Sequence, residues 1–161
     1  MTASPGAAAA ATPDTIRKQV DLKAPPARVW QALTDAGQFG TWFRVRMETP
    51  FVVGQKAGGY ITHPGYEHVR FEVLVEEMRL QERFVLRWHP YAIDPKADYS
   101  GEPTTRIEFR LEPLGTGTRL TVTESGFDAI PPHRRAEAFR MNDSGWAEQV
   151  KNIERHVAQH S

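Results

Sequence analysis

The sequence contains no cysteine among its 161 residues. This absence excludes disulfides, thiolate metal ligands and cysteine nucleophiles, and because it fits a reducing compartment we expect a cytoplasmic protein. An excess of one charge is also missing, since 20 Lys and Arg residues balance 20 Asp and Glu residues. A balanced chain has no long-range field that attracts nucleic acid or an anionic membrane surface. We therefore expect neither of them as a partner.

Long hydrophobic runs are absent as well. No segment approaches the roughly 20 apolar residues that a membrane-spanning helix needs, so we expect a soluble protein without membrane insertion. The alanine-rich opening has no basic region, and its apolar run is too short for a signal peptide. We interpret residues 1–14 as a disordered N-terminal tail and residues 15–161 as one domain. The overall composition, 40% hydrophobic and 25% charged, is that of an ordinary globular protein.

Alternation of apolar and polar residues predicts β-strands over most of the chain. Ile16, Val20 and Leu22 alternate with polar neighbours and predict the first strand. From residue 55 to residue 120 the same period recurs, which favours an antiparallel meander with one apolar face. A long surface loop is predicted for residues 91–103. The segments that we interpret as breaks between strands are Gly58-Gly59, His63 to Gly65, Met78 to Glu82 and Leu114 to Gly117.

Three helical segments are predicted around the strands. Pro25-Pro26 opens a short helix, and the aromatic segment from Phe39 to Phe43 indicates a second one. Pro131-Pro132 opens a long C-terminal helix. Asn142 to Gly145 interrupts the good helix formers of this segment, which predicts a kink or a second helix start. Its apolar residues recur at helical spacing and form one stripe: Phe139, Trp146, Val150, Ile153 and Val157.

Three segments carry a family resemblance: Ala24 to Asp35, with the sequence APPARVWQALTD, Glu124 to Phe127, with the sequence ESGF, and Gly145-Trp146. They resemble the SRPBCC (START-like, helix-grip) superfamily. More narrowly they resemble its branch named after the activator of the ninety-kilodalton heat-shock protein ATPase. The resemblance implies an α+β helix-grip fold, in which a curved antiparallel sheet wraps around the long C-terminal helix and two short helices lie between the first two strands.

The resemblance also implies an internal cavity for an apolar ligand, although superfamily relatives range from lipid carriers to aromatase/cyclases and co-chaperone domains. The residues that we expect to line the cavity are mostly aromatic, and such flat walls suit a planar or lipid-like ligand. The alternative is that these rings simply fill the core. The predicted lining residues are Trp42, Phe71, Trp88, Phe109, Glu124, Phe127, Met141 and Trp146.

Glu124 is the sharpest polar candidate, because strand parity places it on the same face as Leu120 and Val122. In an apolar cavity its carboxyl group can serve as an acid, a base, or an anchor for a hydroxyl or an amine. The alternative is that the strand ends before Glu124, which then lies at the rim and accepts N–H bonds from the turn.

Three functions stay open on the sequence. We predict binding of a hydrophobic or aromatic small molecule in the cavity, without catalysis. One alternative is a cyclase-type or hydrolase-type enzyme that uses Glu124 as general base. The other is a co-chaperone-like or regulatory protein-interaction module. A homodimer is a further expectation, and no cofactor is predicted.

The histidines give little reason to expect a metal. His63, His68 and His89 lack a helical ligand spacing. His156 and His160 are four residues apart, but they lie in the last turn of a helix, where the helix dipole favours histidine. The glycine pairs are predicted to be hairpin or bulge glycines, because they lack the strand-to-helix context of a phosphate loop. We therefore predict no metal site.

Overall fold

A seven-stranded antiparallel sheet and one long helix dominate the computed structural model, which describes residues 13–159. The predicted tail lies outside these residues except for Pro13 and Asp14, and His160 lies outside them too. In chain order the elements are β1 (Thr15–Leu22), α1 (Pro26–Thr34), α2 (Ala36–Phe43), β2 (Val45–Met47), β3 (Lys56–Ile61), β4 (Arg70–Arg79), β5 (Arg83–Trp88), β6 (Thr105–Leu114), β7 (Gly117–Ser125), a 3-10 turn (Phe127–Ala129) and α3 (Pro132–Gln159).

The sheet has the strand order β1-β7-β6-β5-β4-β3-β2, and every neighbouring pair is antiparallel. Its period-2 pattern buries one face. On β4, for example, Phe71, Val73 and Val75 are buried. The predicted α+β helix-grip fold is therefore confirmed, with α1 and α2 between β1 and β2 and with α3 packed against the apolar side of the sheet.

One of the predicted strand breaks is wrong, and another is shorter than predicted. Gly58 and Gly59 lie inside β3, where a β-carbon at Gly59 would come within 2.0 Å of the carbonyl oxygen of Arg46 on β2. These glycines permit close approach of two strands and do not form a hairpin or a bulge. The Met78 to Glu82 break is too long, because β4 continues through Arg79. A bulge between Val75 and Glu77 shifts the β4 register.

The predicted second helix start at Asn142 to Gly145 is also wrong, because α3 is continuous over its 28 residues. Asn and Asp side chains interrupt helices when they bond to the local backbone. Here these side chains bind residues of the sheet instead. The amide of Asn142 donates to Glu124, and Asp143 pairs with Lys18 at 2.9 Å. Tertiary contacts thus hold the helix through its weakest segment.

The two short helices follow one another closely. Pro25 precedes α1, and the Asp35 carboxylate begins α2 by accepting a bond from the backbone N–H of Gln38 at 3.0 Å.

No helix within residues 13–159 combines the length and apolar character that crossing a bilayer requires.

Candidate functional site

Glu124 lies on β7 and faces the interior between the sheet and α3. Its side chain is fully buried, and it stands opposite Ile16 on β1 and Ile107 on β6. The strand continues through Ser125, so the alternative that places Glu124 at the rim of the turn is wrong.

The turn after β7 is bound by Asp14 and not by Glu124. The carboxylate of Asp14 accepts bonds from the backbone N–H groups of Gly126 at 3.3 Å and Asp128 at 3.0 Å. Asp14 therefore satisfies the turn after β7 and leaves Glu124 free to face inward.

Four side chains donate hydrogen bonds to the Glu124 carboxyl group, and we call these five residues the Glu124 cluster. Trp88 Nε1 and Thr105 Oγ1 donate to Oε2 at 2.7 and 2.5 Å. Trp146 Nε1 donates to Oε1 at 2.8 Å, and Asn142 Nδ2 lies 3.0 and 3.2 Å from the two oxygens. The cluster thus joins β5, β6, β7 and α3.

The donors of the cluster complement an unprotonated carboxylate. The indole N–H groups of Trp88 and Trp146 can only donate, so these two partners offer no acceptor for a carboxyl proton, and Asn142 presents its NH₂ group to the carboxylate. A carboxylate has about four lone-pair sites, and the five bonds fill them. Among residues 13–159, no Lys, Arg or His forms an ion pair with Glu124.

Aromatic rings surround the cluster. The indoles of Trp88 and Trp146 stack with centroids 5.9 Å apart and an interplanar angle of 28°. Phe43 meets both edge-on, at 6.1 and 6.2 Å. Phe71 contacts Trp88 at 6.0 Å, and Phe109 contacts Trp146 at 5.8 Å. The rings form one continuous apolar wall around a single buried charge.

Most of the predicted lining residues meet at this wall. Trp42 joins it through Phe109, with centroids 6.5 Å apart. Phe127 does not join it through a ring contact, because it packs edge-on against Phe139 at 5.1 Å. Met141 is half-buried on α3, and as the residue before Asn142 it projects about 100° away from it around the helix.

Three residues of the site were not predicted as site residues from the sequence: Phe43, Thr105 and Asn142. A signal for Asn142 exists, since it lies three residues after Phe139 and four before Trp146 and is therefore polar within the apolar stripe. Thr105 carries no such signal, because a threonine at the start of a strand is ordinary.

The interface beside the cluster is closely packed. The gap between α3 and the sheet at this point has no room for a water molecule; it is lined by Trp42, Phe109, Leu120, Val122, Trp146, Gln149, Val150 and Ile153. An internal cavity therefore stays a prediction. Trp88 and Asn142 are only half-buried, so the cluster reaches the surface on their side.

The predicted loop borders this side of the cluster, and α3 anchors it. The guanidinium of Arg134 pairs with Glu102 at 2.8 Å, donates to the carbonyl oxygen of Pro90 at 2.7 Å and lies 4.8 Å from the ring centroid of Tyr99. The loop after Trp88 is thus fastened to the first turns of the helix.

A second depression lies at the opposite end of α3, between that end and the short helices. It is an open groove of about 540 Å³, lined mostly by polar residue types, and it includes none of the predicted site residues. Gln38 crosses it, and the Gln38 Oε1 atom accepts from Arg28 at 2.9 Å and lies 3.2 Å from His156 Nε2.

The histidines do not converge in the described part of the chain, which contains no group of three or more His, Cys, Asp or Glu residues able to hold a metal ion. His63 contacts the carbonyl oxygen of Pro64 at 3.1 Å, and His89 contacts that of Glu102 at 3.0 Å.

Comparison with known proteins identifies the family. The family model described as "Activator of Hsp90 ATPase homolog 1-like protein" matches residues 23–158. The chain belongs to this family. Its fold is that of the SRPBCC superfamily, and family and fold are consistent with ligand-binding SRPBCC proteins. A search of curated proteins finds no match.

Solved structures show the same fold at low sequence identity. A protein from Arthrobacter aurescens is 20% identical with a TM-score of 0.75, over 90% of this chain and 86% of its own. The Aha1 dimer from Colwellia psychrerythraea is 17% identical with a TM-score of 0.67, over 89% and 95%. DynU16, from the dynemicin biosynthetic locus, is 21% identical with a TM-score of 0.71, over 93% of this chain and 49% of its own, so this chain spans about half of DynU16.

Proposed function

We propose that the protein binds a hydrophobic or aromatic small molecule between the sheet and α3, at the Glu124 cluster, without catalysing a reaction on it. The observation that carries the proposal is the buried Glu124 carboxylate, which accepts five hydrogen bonds inside a wall of aromatic rings. Membership of a family whose fold is consistent with ligand binding supports it.

Aromatic walls and one polar anchor are the usual elements of a small-molecule site. The stacked indoles of Trp88 and Trp146 provide flat surfaces, and Glu124 provides an acceptor that orients a hydroxyl or an amine. Without a ligand, the side chains of Trp88, Thr105, Asn142 and Trp146 donate to this acceptor. A ligand that supplies its own donor and apolar surface replaces them, and it enters where Trp88 and Asn142 are half-buried.

The hydrogen bonds of Glu124 favour an anchor over a general base. A general base takes up a proton from its substrate, whereas an anchor keeps its charge. The indole N–H groups of Trp88 and Trp146 can only donate, so they complement the charged carboxylate and offer no acceptor for a carboxyl proton. No contact in the described residues specifically favours the cyclase or hydrolase alternative or the protein-interaction module, and the homodimer stays a prediction.

The direct test is native mass spectrometry of the full chain after purification, followed by denaturing extraction and identification of any bound small molecule. We expect an apolar compound bound to the wild-type protein. Because a charge-assisted hydrogen bond contributes about 1.5–3 kcal/mol, occupancy at limiting ligand is expected to fall by roughly tenfold or more in Glu124→Gln.

The matched control is Glu112→Gln, which neutralises an exposed glutamate on the outer side of β6 and is expected to bind as the wild type does. An empty wild-type protein whose melting temperature is unchanged by a panel of lipids and aromatic compounds contradicts the proposal.

A further inference from the structure

We infer that the ligand of the Glu124 cluster is an organic cation, a molecule with an aromatic or apolar body that carries an amine or quaternary ammonium group. This inference rests on the proposed binding function and names the chemical class of its ligand. It follows from the charge balance of the cluster, from the rings that surround it and from the side on which it reaches the surface.

The charge balance of the cluster is incomplete. All four partners of Glu124 are neutral, whereas buried carboxylates are usually paired with a cation. The neighbouring cation on the inner face of the sheet is Lys18, which stands opposite Val122, one inward position away from Glu124 on β7. Its ammonium group pairs with Asp143 at 2.9 Å. That pair is neutral as a whole, so the charge of Glu124 keeps no counter-charge within the described residues.

The surrounding rings favour a cation over other ligands. A cation within about 6 Å of an aromatic face is attracted by the ring quadrupole, and indole is the strongest such partner. Two indoles stack beside the carboxylate, and Phe43 meets both of them. A neutral ligand gains only apolar contact from these faces, while an anionic ligand is repelled by Glu124. Carboxylate and rings together therefore select positive charge.

Access to the carboxylate lies on the side of Trp88 and Asn142, the two half-buried members of the cluster. Both are neutral groups that donate to Glu124 Oε2. An ammonium group that replaces one of them exchanges a neutral donor for a charged one, so that both partners of the hydrogen bond are ionised. The exchange supplies the missing counter-charge without disturbing the buried bond from Trp146.

The test compares three probes that share one ring system and differ in charge: 1-naphthylmethylammonium, 1-naphthylmethanol and 1-naphthoate. Their affinities for the full chain are measured by isothermal titration calorimetry at pH 7. We expect the ammonium probe to bind at least about tenfold more tightly than the alcohol, and the carboxylate to bind most weakly.

Glu124→Gln separates the contribution of the carboxylate from that of the rings. In this variant the preference for ammonium over alcohol is expected to fall below about threefold, because only the cation–π attraction is left, and the affinity for the alcohol is expected to fall by a smaller factor than that for the ammonium probe. Glu112→Gln is expected to keep the full preference. If near-ultraviolet circular dichroism shows that Glu124→Gln is unfolded, Trp88→Phe replaces it, since it keeps a ring and the Glu124 charge, and the preference for ammonium over alcohol is expected to persist in it.

Equal binding of ammonium and alcohol by the wild type overturns the inference and leaves the proposed function standing. A preference that persists undiminished in Glu124→Gln, or that falls to parity in Trp88→Phe, also overturns it. Failure of all three probes to bind counts against the proposed function and the inference together.

Discussion

At Glu124 one carboxylate links three strands to α3 through side-chain hydrogen bonds. Its partners lie 36, 19, 18 and 22 residues away along the chain: Trp88, Thr105, Asn142 and Trp146. Removing a hydrogen-bond partner from a buried group costs more than the bond itself contributes, because the remaining group is left without solvent. The cluster therefore fixes the position of the helix on the sheet, whatever ligand it accepts.

Glu124→Gln is expected to lower the free energy of unfolding by about 1–3 kcal/mol, because the new amide NH₂ faces N–H donors of the cluster and leaves at least one of them unsatisfied. Urea denaturation of the variant and of the wild type measures the difference. The exposed substitution Glu112→Gln is the control and is expected to change stability by less than about 0.5 kcal/mol. Equal stability of all three proteins would contradict this description of the cluster.

Glu76 gives a prediction about pH. It lies on the solvent-facing side of the sheet, where the hydrogen bond from Arg87 at 2.5 Å, aided by Arg106 at 3.1 Å, lowers the pKa of its carboxyl group from the usual 4.5. A folded-state pKa below the unfolded one contributes stability that is fully present above pH 4.5 and is lost as the pH falls through the lowered value.

Glu76→Gln is therefore expected to be less stable than the wild type at pH 7, by no more than about 1 kcal/mol because the side chains of Glu76 and Arg87 are more than a third exposed. The difference is expected to shrink as the pH is lowered below 4.5. Urea denaturation at a series of pH values from 7 downward measures it. A difference that is constant across the series would show that the charge of Glu76 does not contribute.

At the scale of elements, α3 passes through its weakest segment without a break. Gly145 lies in the middle of the helix, and a β-carbon placed there meets no atom within 4 Å. Gly145→Ala is expected to raise the free energy of unfolding by about 0.5–1 kcal/mol, since alanine is the better helix former. Gly59→Ala is the contrasting variant: its β-carbon would lie 2.0 Å from the carbonyl oxygen of Arg46, so we expect a loss of about 1–3 kcal/mol. Thermal unfolding of both variants measures the effects, and a destabilised Gly145→Ala would contradict the continuous helix.

Local patterns predicted the elements where neighbouring residues decide the structure. Alternation along β1 and β4 and the apolar stripe of α3 are properties of consecutive residues, and the structure confirms them. The second helix start predicted at Asn142 to Gly145 was wrong because the contact that supports this segment, Asn142 with Glu124, joins α3 to a distant strand. The strand break predicted at Gly58 and Gly59 was wrong for the same reason, since the sequence of β3 does not show how closely β2 approaches it.

At the scale of the whole molecule, the family segments predicted the helix-grip fold, and strand parity predicted that Glu124 faces inward. The donors that reach Glu124 come from β5, β6 and α3, and no period within one element determines that they meet. Phe43 closes the ring wall from α2, whose docking against α3 depends on side-chain packing. The sequence thus indicated the central residue of the site, while its partners depend on the tertiary structure.

Binding of a small molecule at the Glu124 cluster can be observed through the side chains of the four tryptophans. In ¹H–¹⁵N spectra each indole N–H gives one signal. Those of Trp88 and Trp146 donate to Glu124, that of Trp42 donates to the carbonyl oxygen of Ala32 at 2.8 Å, and Trp30 packs against Phe84 outside the cluster. If a small molecule binds at the cluster, titration with 1-naphthylmethanol is expected to shift the signals of Trp88 and Trp146 and to leave that of Trp30 in place. Unchanged signals from Trp88 and Trp146 at saturating probe, or shifts confined to Trp30 and Trp42, would contradict it.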